Sequence, residues 1–328
     1  MTEPFRLGYW LSSEEHPPRR LVALAVEAER SGFATAMISD HFHPWVEAQG
    51  QAPFVWGVLG AIAQATDALE VGTGVTAPIQ RLHPAVVAQA AATAAALMPG
   101  RFFLGLGTGE RLNEHITGEH WPTAAVRRAM LEEAIGIIRR LFEGGNVNHR
   151  GEHFVVEHAQ LFSLPDEPPP LFVAAGGKRS AALAGRVGDG LIGVEPSADV
   201  IDAFEANGGA GKHRFGQIHV CVDDDAVVAR RTAHRVWPNG AFEGTMLTEL
   251  PRPTEFGEVA SLVSEDQVAA KVVCGTDVER HLEAIASFAA AGFDRVYVHQ
   301  VGPDQERFFR FYRDEIVPRL ASPSGARR

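Results

Sequence analysis

Residues 35–45 read TAMISDHFHPW. The first half holds Ala36-Met37-Ile38, an apolar run of the kind that a strand buried on both faces presents. With no spacer it runs into an acid, two imidazoles, a phenyl ring and an indole. A strand that ends this way opens either into a packed loop or into a site. The same design recurs along the chain, as short apolar or β-branched runs alternating with amphipathic helical patterns: FRLGYWL, TAMISDH, LEVGTGVTA, RFFLGLGTG, PLFVAAGG, DGLIGVE, QIHVCVD and DRVYVHQ. Alternation of strand and helix means parallel strands, and eight strand-helix units without a nucleotide-fold fingerprint at the first turn favour a (β/α)8 TIM barrel over an open doubly wound sheet. Leu21, Leu24, Ala25 and Ala28 share one helix face, and Met130, Ala134, Ile137 and Leu141 another. Thr276 with Glu279 predicts a capping box ahead of the helix carrying Leu282, Ile285 and Phe288.

No composition break marks a second domain, so residues 1–328 are read as a single barrel. Two segments interrupt its rhythm. Residues 144–168 carry a short alternating strand around Phe154 among turn signals and predict a hairpin excursion. Residues 237–265, with Trp237, Phe242 and Phe256 in a Pro-rich stretch, predict an ordered lid over the C-terminal mouth. The tail 321–328 is expected to fray.

The 45% hydrophobic content suffices for a large core, and the formal net charge of −11 argues against nucleic-acid or anionic-membrane partners, which need a basic face. The N-terminus lacks a basic segment followed by an apolar one, and no apolar run approaches membrane-spanning length, so the cytoplasm is the expected compartment. Cys221 and Cys274, each flanked by valines, read as buried reduced thiols in strands, and no CxxC motif exists.

In a barrel, the polar residues at strand C-termini converge on one mouth. SDHFHPW, VGTGVTAP, GLGTGERLNE and AAGG all sit at such ends. Gly105, Gly107, Gly109 and the pair Gly176-Gly177 let backbone amides approach a flat or phosphorylated ligand, although tight turns alone account for any one of these clusters. Glu110 is placed to enter the mouth, where apolar surroundings would raise its pKa and make it a proton donor; its ordinary alternative is a helix-start acid. His41 is either a structural histidine or a catalyst, and His43, Phe42 and Phe54 read as residues that shape the mouth. The His-X-His spacing of His41 and His43 finds no further acidic or His cluster to complete a metal set.

The stretches SDHFHPW, APFVWG, VGTGVTAP, FFLGLGTGERLNEHITG, FEGGNVNHRGEHF, AAGG and GRVGDGLI together resemble the luciferase-like flavin and deazaflavin barrels. Within them the likeness is nearest to the branch related to glucose-6-phosphate dehydrogenases that use the deazaflavin coenzyme F420. It spans almost the whole chain. The resemblance implies a homodimeric oxidoreductase with hydride passing between a substrate CH-OH carbon and C5 of the deazaflavin. It further implies that His41 is the general base on the substrate hydroxyl, that Glu110 supplies the proton to ring N1, and that Trp45 walls the substrate cavity. Cofactor contacts would come from Asp40, from Gly74, Val75 and Thr76, with a non-prolyl cis peptide at Gly74-Val75, and from Gly107, Thr108, Gly109, Asn113, Ala175, Gly176 and Gly177.

The chain departs from the sugar-phosphate branch in one region. Where those relatives carry basic residues for the phosphate, this sequence has Glu195-Pro196-Ser197 and Glu258, which would repel a dianion; Lys178, Arg179, Lys212 and Lys271 could supply charge from elsewhere. The expected substrate is therefore an alcohol, sugar or sugar derivative, with glucose 6-phosphate in doubt. The alternatives are an FMN-dependent luciferase-like monooxygenase and a non-catalytic flavin-binding barrel.

Overall fold

The structure, a computed structural model, describes residues 6–320; the expected fraying of 321–328 lies outside the described residues. Eleven strands are present among them: β1 (Arg6–Leu11), β2 (Thr35–Ile38), β3 (Glu70–Thr73), β4 (Phe102–Leu106), β5 (Val147–Arg150), β6 (Val155–Ala159), β7 (Leu171–Ala174), β8 (Gly190–Gly193), β9 (His213–Cys221), β10 (Val272–Cys274) and β11 (Arg295–Gln300). The parallel order β9-β11-β1-β2-β3-β4-β7-β8 closes on itself because β8 pairs with β9, Gly190 opposite His213 through Gly193 opposite Gly216. The eight strands read from the sequence are the eight staves of this TIM barrel.

Alternate residues of each stave point inward. Trp10, Met37, Phe103, Phe172, Ile192, Phe215 and Tyr297 fill the interior, with Phe172 stacked on Phe215 at 4.2 Å. These large rings fit because glycines oppose them: a Cβ on Gly72 would lie 2.1 Å from the Phe103 ring, and one on Gly190 would lie 2.2 Å from Phe172. Gly72→Val is accordingly expected to cost about 1–3 kcal/mol by overpacking, read as a lower urea midpoint at unchanged slope; an unchanged midpoint would mean that Phe103 can swing clear. The outer core lies between the staves and the helices, where the predicted faces of helices Pro18–Arg30 and Ala124–Phe142 are buried.

Three details differ from the sequence reading. The helix Val278–Ala290 is capped by Asp277, one residue later than Thr276, because the Asp277 carboxylate accepts from the Glu279 and Arg280 amides at 3.1 and 3.4 Å. Strand β9 begins at His213, four residues before Gln217. The short β10 is a ninth parallel strand beside the upper half of β9, and it places Cys274 opposite Cys221, both buried and unbridged. Three residues are too few for a periodicity signal.

Strands β5 and β6 form an antiparallel hairpin. It is tied to helix Ala124–Phe142 through Glu133, which accepts from the His153 and Phe154 amides at 3.0 and 2.9 Å and meets His149 at 2.8 Å. Between Trp237 and β10 the chain folds into short helices, including Pro253–Ala260, whose Phe256 is fully buried and stacks on Phe242.

Candidate active site

The loop after β2 carries SDHFHPW over the C-terminal mouth. It is clamped by Asn113, whose side-chain oxygen accepts from the Phe42 and His43 amides at 2.9 and 3.2 Å while its NH2 donates to Glu110 at 3.3 Å. The His43 ring meets the Leu112 carbonyl at 2.8 Å and stacks on His115. Phe42 and Phe54 are largely exposed.

His41 is buried to 9% exposure, and its Nδ1 lies 3.1 Å from the His43 carbonyl. A carbonyl only accepts, so Nδ1 holds a proton and Nε2 is the nitrogen left to take up or release one. Glu14, just beyond the end of β1, faces that nitrogen at 3.5 Å through Oε1. The other Glu14 oxygen is spent on hydroxyls, accepting from Ser39 at 2.5 Å and Ser12 at 3.0 Å. The Trp45 ring lies 4.8 Å from His41 on one side and 5.4 Å from Phe256 on the other, so it roofs the imidazole with an apolar wall.

Beneath this pair lies a charge cluster. Asp40 accepts from the Thr76 hydroxyl at 2.7 Å and from the Arg81 guanidinium at 2.9 Å, and the backbone of Arg81 donates to Glu114 at 2.8 Å. Burial alone would lower the pKa of Arg81, but Asp40 beside it outweighs burial and raises it. Glu114 is pushed up to about 7, chiefly by burial, since its Oε1 makes no hydrogen bond and the Arg81 Nε is 3.6 Å away. The folded protein thus holds a proton on Glu114 that the unfolded chain releases near the ordinary 4.5. This contribution to stability is full below about 4.5 and is lost as pH rises to about 7. Glu114→Gln should remove it, so the stability of the wild type relative to the variant should fall across that window; parallel pH curves in urea unfolding would count against the assignment.

Glu110 is half-buried at the start of the short helix Arg111–Glu114. Across the mouth the backbone is shaped by glycine. The Gly74-Val75 peptide is cis, and a Cβ on Gly74 would lie 2.7 Å from Met37 and Trp10. Thr76 joins the loops after β3 and β4, its amide donating to the Gly105 carbonyl and its carbonyl accepting from Gly107. Gly107 would collide with Val75 if it bore a side chain, and Gly109 has a positive φ of 67° that favours glycine. Thr108 lies between them, half-buried. After β7, Ala175 is buried, whereas a Cβ on Gly176 or Gly177 would meet only open space. Gly177 precedes the ten-residue helix Lys178–Val187, which has no side-chain cap among the described residues, so its first amides are left to solvent or a ligand.

Residues 1–295 match the family model described as luciferase-like monooxygenase. The chain belongs to that family. A curated F420-dependent glucose-6-phosphate dehydrogenase of Segniliparus rotundus is 35% identical over 98% of this chain and 100% of its own, and one from Beutenbergia cavernae is 37% identical over 96% and 97%. The solved structure of an F420-dependent secondary alcohol dehydrogenase in complex with an F420-acetone adduct superposes with a TM-score of 0.91 at 32% identity, covering 97% of this chain and 100% of that one. A Streptomyces bottropensis monooxygenase shares the fold at a TM-score of 0.73 and 20% identity, over 96% and 100% of the two chains.

In this luciferase-like barrel the structure packs Trp45 on His41 and links Glu110 to their loop only through Asn113, with no hydrogen bond or ion pair from Glu110 to His41 or Trp45 among the described residues, and it adds partners that sequence reasoning passed over. Glu14, Ser12, Ser39, Arg81 and Glu114 are all nearly inaccessible. A signal for Glu14 existed: SSEEH follows the first stave just as SDHFHPW follows the second. Among the described residues no group of three His, Cys, Asp or Glu could hold a metal ion, and no helix is long and apolar enough to cross a membrane.

Proposed function

We propose that the protein is an oxidoreductase that moves a hydride between the CH-OH carbon of an alcohol or sugar-like substrate and the deazaflavin coenzyme F420, with His41 as the general base. The observation that carries this reading is the placement of His41: Nδ1 is committed to a backbone carbonyl, which leaves Nε2 as the nitrogen that can exchange a proton, and the Glu14 side chain stands 3.5 Å from it. An alcohol can lose hydride only as its hydroxyl proton is taken up, and His41 Nε2 takes that proton in the mouth. Glu14 then stabilises the resulting imidazolium. Trp45 excludes water from the pair, and Glu110 is the proton carrier on the cofactor side. The relatives' names support F420 as the cofactor.

The residues present fit such a coenzyme. Open space at Gly176 and Gly177 and the uncapped helix start suit a phosphate-bearing tail, and the backbone of Gly74, Val75, Thr76 and Gly107 is the wall against which a flat ring would lie. When bound, F420 supplies a hydride acceptor at C5. Asp40 and Asn113 support the cofactor side through the loops they hold, and Gly109 and Thr108 line the approach. The segment 237–265 serves as the lid, and the enzyme is taken to be a cytoplasmic homodimer, which sedimentation would verify as twice the chain mass.

A phosphorylated substrate fits poorly. Lys271 pairs with Glu195 at 3.2 Å, Lys178 with Asp199 at 2.8 Å, and Lys212 donates to the Gly185 and Gly188 carbonyls. Glu258 is exposed in the lid segment. Like-charge contacts cost several kcal/mol, so kcat/KM for a neutral secondary alcohol should exceed that for glucose 6-phosphate by about tenfold or more. Comparable values would defeat the exclusion. The cofactor assignment is tested by titrating the protein with F420 and with FMN, following fluorescence quenching, and then adding alcohols. Quenching of F420 followed by bleaching of its absorption band is expected. Binding of FMN alone would point to the monooxygenase reading, and F420 binding without bleaching over a broad alcohol panel to a non-catalytic barrel.

A further inference from the structure

Two consecutive glutamates follow β1, and each holds a histidine. Glu14 faces His41; Glu15 meets His299 Nε2 at 2.7 Å, and His299 Nδ1 in turn meets His219 Nδ1 at 2.9 Å. His299 and His219 lie opposite each other on neighbouring staves β11 and β9. They continue the inward faces of Tyr297 and Phe215 by two and four residues, which places both rings inside the barrel at its C-terminal rim. Trp237 packs on both rings, at 4.4 and 5.1 Å, and belongs to the same apolar cluster as Trp45. Gln49 ties the two aromatic walls together, accepting from the Trp45 amide at 2.8 Å and donating to the Val236 carbonyl at 3.0 Å. His299 is fully buried, whereas His219 is only half-buried, and its Nε2 makes no hydrogen bond among the described residues.

Hydrogen-bond polarity along this chain is set from one end. Burial pushes Glu15 up to about 7, so above that pH it is a carboxylate, whose Oε2 accepts from the Gly302 amide at 2.8 Å and whose Oε1 accepts from His299 Nε2–H. His299 Nδ1 must then be an acceptor, His219 Nδ1 must carry the donated proton, and His219 Nε2 is left as a bare acceptor at the open end. The C-terminal rim of the barrel thus carries a second imidazole, whose lone pair lies at the end of a buried relay.

We propose that His219 is a specificity-determining residue that accepts a hydrogen bond from a second substrate hydroxyl, so that the preferred substrate is a neutral diol or polyol. This rests on the alcohol-oxidoreductase reading above. Burial holds His299 near 4 and His219 well below its usual range, so both rings stay neutral, as an acceptor for hydroxyl must.

Glu15→Gln tests the polarity without changing volume. The Gly302 amide demands the side-chain oxygen, which turns the new NH2 toward His299 Nε2 and reverses every donor in the chain, making His219 Nε2–H a donor. At pH 8.5 or above, where Glu15 is ionised, the wild type should favour cyclohexane-1,2-diol over 2-methoxycyclohexanol, which cannot donate from that position, by about tenfold or more in kcat/KM. In Glu15→Gln that ratio should collapse toward one. In His219→Leu the ratio of diol to cyclohexanol should fall by a similar factor. Ratios that hold in both variants overturn the proposal, and if His219→Leu fails to fold, the Glu15→Gln ratio decides alone. Calorimetric titration of the diol into the protein, with and without F420, separates the two readings. Diol binding that weakens in the variants without any coenzyme bleaching keeps the hydroxyl arm and sinks the oxidoreductase; normal oxidation of cyclohexanol with no diol preference sinks the arm alone.

Discussion

His41→Ala is expected to lower turnover by a factor of about 10²–10⁴, the range spanned by a positioned general base, while coenzyme affinity stays within a few fold. The asymmetry follows from what the ring touches. His41 meets Glu14, the His43 carbonyl and Trp45, in the region proposed for the substrate, and makes no hydrogen bond among the described residues to the glycine-rich backbone proposed for the cofactor. Removing the ring deletes the proton acceptor and leaves Glu14 facing a void, still held by Ser39 and Ser12. Stopped-flow bleaching of F420 by an alcohol gives the rate, and fluorescence quenching gives the affinity. Retained turnover with a large loss of affinity would contradict the base assignment.

The second large effect is structural. Arg81→Met should destabilise the fold by about 3–5 kcal/mol, the cost of leaving a buried charge without its partner. The Asp40 side chain is inaccessible, and Arg81 is its only cationic neighbour among the described residues. Thr76 would still donate to one Asp40 oxygen, but the other would face the emptied site, with Glu114 close by. The variant's unfolding midpoint should recover partly when pH falls and the two carboxyls can protonate. A loss below about 1 kcal/mol, the worth of an exposed pair, would mean that water reaches this cluster.

The barrel was legible because parallel strands covered on both faces read as short apolar runs, and eight such runs separated by helical patterns leave few alternatives. Where the signal was weak, physical detail decided. Val272–Cys274 is too brief to show a period, and Asp277 outcompetes Thr276 as a cap because a carboxylate accepts two amides at once. The site was legible by residue type: an imidazole and an indole at a strand end announce themselves. Its partnerships were not. Glu14 meets His41 only because parallel pairing sets the end of β1 beside the end of β2, and His219 meets His299 across 80 residues of chain because β9 pairs with β11. Arg81 stayed hidden because one arginine beyond a strand end carries no pattern, although burial makes it the charge on which Asp40 depends.

The central claim, that hydride leaves a carbinol carbon for the deazaflavin while His41 holds the proton, is tested most directly by isotope transfer. A secondary alcohol deuterated at the carbinol carbon is mixed with the protein and F420, and the bleached coenzyme is examined by mass spectrometry. The account predicts one deuterium per reduced coenzyme and slower bleaching than with the unlabelled alcohol. Reduced coenzyme without the label, or label lost to solvent, would contradict it.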